Sequence, residues 1–128
     1  RSSAASDVYK RQIIAMIEIE SGYKYDAVGK GGDIGYMQIN QEWHTDRMER
    51  LGATDLKNPY QNVRVGIDYM AELLGQYQTS VAVSAYNRGT HNDSGTGALD
   101  LADKGQYQTE YSEKVLNRAA EIEKELSQ

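Results

Sequence analysis

The stretch Ile13-Ile14-Ala15-Met16-Ile17-Glu18-Ile19-Glu20-Ser21-Gly22 reads as an amphipathic helix that ends on a carboxylate. Residues 13, 16, 17 and 20 share one helical face, so Glu20 points inward with Ile13, Met16 and Ile17 while Glu18 points to solvent. Ser21-Gly22 supplies the stop. A carboxyl group set against aliphatic carbons at the negative end of a helix dipole is disfavoured as an anion on both counts and keeps its proton to higher pH. A general acid needs that state. An ordinary half-buried Glu satisfied by a hydroxyl or a backbone amide gives the same local pattern, and this segment alone leaves both readings open.

Upstream, residues 1–12 lack the apolar periodicity that begins at Ile13, and no initiator Met precedes them. They look like translated sequencing-adapter sequence and are expected to be an adventitious tail. On that reading residues 13–128 form a single domain truncated at its N-terminus.

Composition bounds the rest. The chain has 128 residues, 39% of them hydrophobic, enough for one core and too few for two. No apolar run approaches the ~18 residues of a membrane-crossing helix, and no secretory leader is visible. With 19 acidic against 14 basic residues, a formal charge of -5 and no basic cluster, nothing invites nucleic acid. The absence of Cys removes thiolate chemistry. His44 and His91 lack ligand spacing, and Asn92-Asp93-Ser94-Gly95-Thr96-Gly97 lacks the alternation of a calcium loop, so neither a metal nor another cofactor is expected. Ten Tyr with one Trp and no Phe give nearly every ring a polar handle, which suits hydroxylated, half-apolar ligands.

Downstream of Gly22, Asp26 to Asn40 is glycine-rich; residues 34 to 39 predict a short irregular strand within a small hairpin or loop element. A phosphate loop fails there for want of a Lys-Ser/Thr pair. Asn40 caps a predicted helix through about Leu51, with Trp43 and Met48 facing the core and Gly52 closing it. Asn58-Pro59 starts a central helix with Val63, Ile67, Met70 and Leu74 on one stripe and Gly75 at its end. Ser80 caps a helix from Val81 to Asn87, stopped by Gly89. Residues 90 to 105 read as a flexible loop in which Asp100 and Asp103 add only solvated charge. The last helix runs from about Gln106 to Leu126, with Tyr111, Val115, Ala119, Ile122 and Leu126 on one face.

Three segments, Glu20-Ser21-Gly22, Gly35-Tyr36-Met37-Gln38-Ile39-Asn40 and Ala85-Tyr86-Asn87-Arg88-Gly89, stand in an order and spacing that resemble the soluble lytic transglycosylase (SLT) domain of the goose-type lysozyme superfamily. The resemblance spans Ile13 to about Leu116. It implies a mainly α, lysozyme-like α+β fold, with a small β-hairpin or loop element beside a substrate cleft, and peptidoglycan glycan strands as substrate. Carried over by position, Glu20 matches the catalytic acid and Ser21 the hydroxyl supporting it. Gly35, Met37 and Gln38 match a cleft-lining loop in which Tyr36 replaces the common Leu or small residue. Tyr86 matches the ring beside the catalytic Glu and Asn87 a sugar-holding amide; Arg88 stands where a small residue is common. Tyr111 resembles a late cleft Tyr, although its context, Thr109-Glu110-Tyr111, departs from the family's usual spacing.

The chemistry implied is cleavage of the β-1,4 bond between N-acetylmuramic acid and N-acetylglucosamine. Most glycosidases use two carboxylates. One suffices where the substrate's own N-acetyl group assists and its 6-hydroxyl attacks, leaving a 1,6-anhydromuramoyl end. The alternatives are a muramidase of the same fold, with Asp33 or Asp26 activating water, and a noncatalytic peptidoglycan-binding domain. Asp33 also reads as a simple turn residue. The implied setting is extracytoplasmic, as a monomer or as part of a larger cell-wall, phage or secretion protein.

Overall fold

The computed structural model describes residues 3–127, with side chains from residue 7 onward. Arg1, Ser2 and Gln128, the ends of the expected tail and domain, lie outside the described residues. The fold is mostly helical: α1 is Ser3–Ser21, α2 Thr45–Leu51, α3 Pro59–Gln76, α4 Thr79–Arg88, α5 Ala98–Ala102 and α6 Glu110–Leu126, with single 3-10 turns at Lys30–Gly32 and Glu42–His44. None of the described helices is long and apolar enough to cross a membrane.

Two compact units divide the chain, one formed by Ile13–Asp68 and the other by Arg1–Gln12 with Tyr69–Gln128. In the first, Ile13, Ala15, Met16 and Ile17 are buried, as the apolar period of α1 requires, and Met48 is buried on α2. The helix itself begins upstream of that period, at Ser3. Expected strand pairing at residues 34 to 39 reduces to two isolated antiparallel bridges, Val28 with Ile34 and Ile34 with Ile39. Left-handed backbone at Gly35 (φ +79°) and Gln38 (φ +50°) bends the chain too sharply for a ladder to extend.

Trp43 does not face the core. It is 79% exposed, because the segment opens with a 3-10 turn and the α-helical face that buries Met48 starts only at Thr45. Asn40 does not cap α2, whose N-cap position is His44; its Oδ1 accepts from the Trp43 N–H at 3.3 Å, beside the 3-10 turn. Gly52 closes α2 in the left-handed conformation, as expected.

The expected stripe of α3 holds in part: Met70 is buried and Val63 and Leu74 are half-buried. Asn62, Val65, Met70 and Leu73 are buried, whereas Ile67 is exposed and lines an open groove of about 590 Å³ with Pro59, Tyr60, Val63 and Arg64. The inner face also contains Asn62 and Gly66, which a count of apolar residues passes over. Asn58 starts the helix as expected, its Oδ1 accepting from the Gln61 N–H at 3.1 Å, but the helix continues one residue past Gly75.

In the second unit α4 packs on α5 and α6. Val81 to Ala85 are all buried, consistent with their small side chains. The helix starts at Thr79 instead of being capped by Ser80, and Gly89 (φ +76°) stops it. The last helix begins at Glu110 and not near Gln106, because Thr109 and Ser112 cap each other: Thr109 Oγ1 accepts from the Ser112 N–H at 3.1 Å and Ser112 Oγ from the Thr109 N–H at 2.8 Å. Leu126 is exposed beyond the buried Val115, Ala119 and Ile122.

Candidate functional site

Glu20 occupies the last turn of α1 and is half-buried. Glu18 is half-buried too, which corrects its expected solvent position. The helix stops because Gly22 (φ +60°) turns left-handed while its N–H still reaches Glu18 O at 2.9 Å. Tyr23 (φ +65°) follows in the same conformation. Ser21 Oγ donates to Ile17 O at 2.9 Å. That bond uses the hydroxyl's one proton, so Ser21 as it stands here can offer a neighbour only acceptor lone pairs.

The glycine-rich segment forms a loop tied by side chains as much as by backbone. Gly35 N–H donates to Ala27 O at 2.8 Å, and the Gln38 N–H to Gly35 O at 3.1 Å. Gln38 Nε2 donates to Gly35 O at 3.0 Å and to Ala27 O at 3.3 Å, so the amide is folded into the loop. Gly29 lies against that amide, and a Cβ there would overlap Gln38 Oε1. Asp33 Oδ1 accepts from Asn40 Nδ2 at 3.2 Å, holding the turn together.

Beneath the loop is a residue that the sequence did not single out. Asn62 on α3 is 0% exposed; its Oδ1 accepts from the Met37 N–H at 2.8 Å, and its Nδ2 donates to Ile34 O at 2.8 Å and Leu56 O at 2.9 Å. Its only legible signal was a polar residue one turn into an amphipathic helix. Met37 is 0% exposed and fills the space left by the missing side chain of Gly66. Met37 and Gly35, both buried, therefore shape the loop from inside, and Tyr36 is half-buried at its turn.

In the second unit, Tyr86 and Asn87 share the last turn of α4, with Tyr86 half-buried and Asn87 exposed. The Tyr86 ring meets that of Tyr69, centroids 5.2 Å apart and tilted by 37°. Tyr111 is half-buried in the first turn of α6, a segment joined to α4 by the buried Ser84 Oγ···Thr109 Oγ1 hydrogen bond of 2.9 Å.

The loop after Asn87 is structured. Asp100 Oδ2 accepts from the Asn92 and Gly97 N–H groups at 3.1 and 3.0 Å, and Oδ1 pairs with His91 Nδ1 at 2.7 Å. The His91 bond first, then the Asn92 amide, hold the Asp100 carboxyl below the usual aspartate range. Asp100 is thus the organiser of this loop, not a solvating charge, and the cap it provides lets α5 form where no helix was expected. Arg88 Nη1 donates to Thr96 O at 3.0 Å on the same loop. Asp68 is likewise held low by its hydrogen bond from Arg50, against a smaller opposing effect of burial and with help from Arg47.

Among the described residues no group of three or more His, Cys, Asp or Glu side chains could hold a metal ion. The expected site residues thus fall into two groups. Glu20, Ser21 and the Gly35–Gln38 loop belong to the unit Ile13–Asp68, while Tyr86, Asn87 and Tyr111 belong to the other. A comparison with protein-family models matches residues 1–108 to the family described as the transglycosylase SLT domain.

Proposed function

This chain belongs to the transglycosylase SLT domain family, a lysozyme-like fold whose members act on peptidoglycan, and from that premise we propose that it is a lytic transglycosylase with Glu20 as its only acid–base group. The observation that carries the proposal is the setting of Glu20: half-buried, on the final turn of α1, inside the matched region.

In the proposed reaction the Glu20 carboxyl protonates the oxygen linking N-acetylmuramic acid to N-acetylglucosamine. The C1–O bond breaks and the N-acetylglucosamine side leaves with that proton as a free 4-hydroxyl. The N-acetyl group of the muramoyl residue supports the charge at C1. Its 6-hydroxyl then attacks C1 and returns a proton to the Glu20 carboxylate, closing a 1,6-anhydro ring without consuming water. By the family resemblance, Tyr36 and Gln38 would meet the glycan, Gly35 and Met37 would shape the loop, and Ser21 would support Glu20, while Asn87 and Tyr111 would be sugar-binding residues and Tyr86 a supporting ring. Because peptidoglycan lies outside the cytoplasmic membrane, the reaction would be extracytoplasmic.

The muramidase alternative needs a free second carboxylate, and the bond from Asn40 to Asp33 favours a turn role for Asp33. Digestion of peptidoglycan in heavy-oxygen water separates the two. A transglycosylase leaves anhydro ends carrying no solvent oxygen. Reducing ends carrying solvent oxygen would replace this reading with hydrolysis.

A further inference from the structure

In an ordinary four-residue turn the first carbonyl accepts directly from the fourth N–H. The turn Gly35-Tyr36-Met37-Gln38 is closed in that way, the Gln38 N–H donating to Gly35 O at 3.1 Å, and Ile34 and Ile39 pair on either side of it. The Asn62 carboxamide ties this turn to α3, donating from Nδ2 to Ile34 O at 2.8 Å and accepting at Oδ1 from the Met37 N–H at 2.8 Å. The second Nδ2 proton is taken by Leu56 O at 2.9 Å. Asn62 thus acts as a peptide-like clip that fastens the turn to α3. All three partners are backbone groups, and the amide is wholly buried, so water does not compete for them.

The clip acts on a turn whose backbone is strained. Gly35 at φ +79° and Gln38 at φ +50° bracket it, and the latter is a conformation that a side-chain-bearing residue adopts only when its surroundings impose it. Tyr36, half-buried, is the large side chain between the two backbone groups that Asn62 holds, the Ile34 carbonyl before it and the Met37 amide after it. Gly66, four residues along α3 from Asn62, admits Met37 and fixes the segment from the same helix.

We infer that Asn62 is a positioning residue that sets the direction of Tyr36 toward the glycan, so that α3 determines how the Gly35–Gln38 loop receives substrate. This rests on the function proposed above, and it makes Asn62 and Tyr36 energetically one unit.

The test is a double-mutant cycle on the full chain with soluble, uncross-linked peptidoglycan strands, comparing the parent, Asn62→Ser, Tyr36→Ala and the double variant. Val65→Ala, on the buried face of the same helix, serves as the destabilised control. Each single substitution is expected to raise KM by roughly fivefold or more with kcat little changed, and the double to equal the larger single effect. Val65→Ala lowers the melting temperature and leaves KM at the parent value. Multiplying effects in the double variant, or a parent-like KM for Asn62→Ser, overturns the inference while leaving the proposed function standing. No product from the parent overturns the proposed function, and this inference with it.

Discussion

A side chain at Gly66 could not coexist with Met37: a Cβ there would overlap Met37 Sδ and stand 2.7 Å from Cε and 3.0 Å from Cβ. Glycine inside a helix ordinarily costs about 1 kcal/mol relative to alanine. Here the substitution reverses sign, because the whole Met37 side chain would have to leave a fully buried site. Gly66→Ala is expected to destabilise the protein by ~1–3 kcal/mol, the usual penalty of overpacking, read as a lower midpoint in thermal or urea denaturation.

Gly35 faces two demands at once. Its φ of +79° is unfavourable for any L side chain, and a Cβ would overlap Asn62 Nδ2 and lie 2.6 Å from Leu56 O. Gly32 (φ +84°) shares the backbone conformation but has open space around it. Gly32→Ala should therefore lose only the ~1–2 kcal/mol of left-handed strain. Gly35→Ala should lose clearly more, enough to deplete folded protein in expression and denaturation assays run side by side.

Acid should loosen the loop that follows Asn87. Asp100 has a lowered folded pKa, chiefly through its bond with His91 and then through the Asn92 amide. Its contribution is complete above the ordinary aspartate range and is lost as pH falls through the lowered folded value. Asp68, held low by Arg50 first and by Arg47 as well, loses its share in the same direction. Amide hydrogen exchange at Asn92 and Gly97 should accelerate, after correction for intrinsic rates, as the pH is taken below that range. Asp100→Ala should show the same exposure already at neutral pH.

The cap of α6 also carries a long-range bond. Thr109 Oγ1 accepts from Ser112 N–H and is paired with Ser84 Oγ in a buried setting. Thr109→Val removes the cap and strands the Ser84 hydroxyl, with an expected cost of about 2 kcal/mol. Thr109→Ser keeps both bonds and should stay within ~0.5 kcal/mol of the parent by chemical denaturation.

What the sequence made legible was local. Gly22, Gly52 and Gly89 each end a helix at positive φ, and Asn58-Pro59 opens one, because those signals act within a turn of the residues they govern. The illegible features depend on partners far along the chain. Asn62 reaches 25 residues to Met37 and 28 to Ile34, so nothing near it in sequence marks it as buried, and of the expected stripe only Ile67 is exposed. Trp43 was misplaced because a 3-10 turn has no signature separating it from the start of α2. Asp100 passed as loop charge because its partners, His91 and the Asn92 and Gly97 amides, meet only once the loop has folded. For the candidate site, the residues come from the family resemblance; the structure adds that Met37 and Gly35 among them are buried.

In the proposed reaction Glu20 alone moves the proton in both directions. Mass spectrometry of the soluble products from purified peptidoglycan, digested by the parent and by Glu20→Gln at matched folded concentration, tests it most directly. The expected products are 1,6-anhydro-muropeptides from the parent and none above background from Glu20→Gln. Anhydro-muropeptides released by Glu20→Gln at the parent's rate would contradict it.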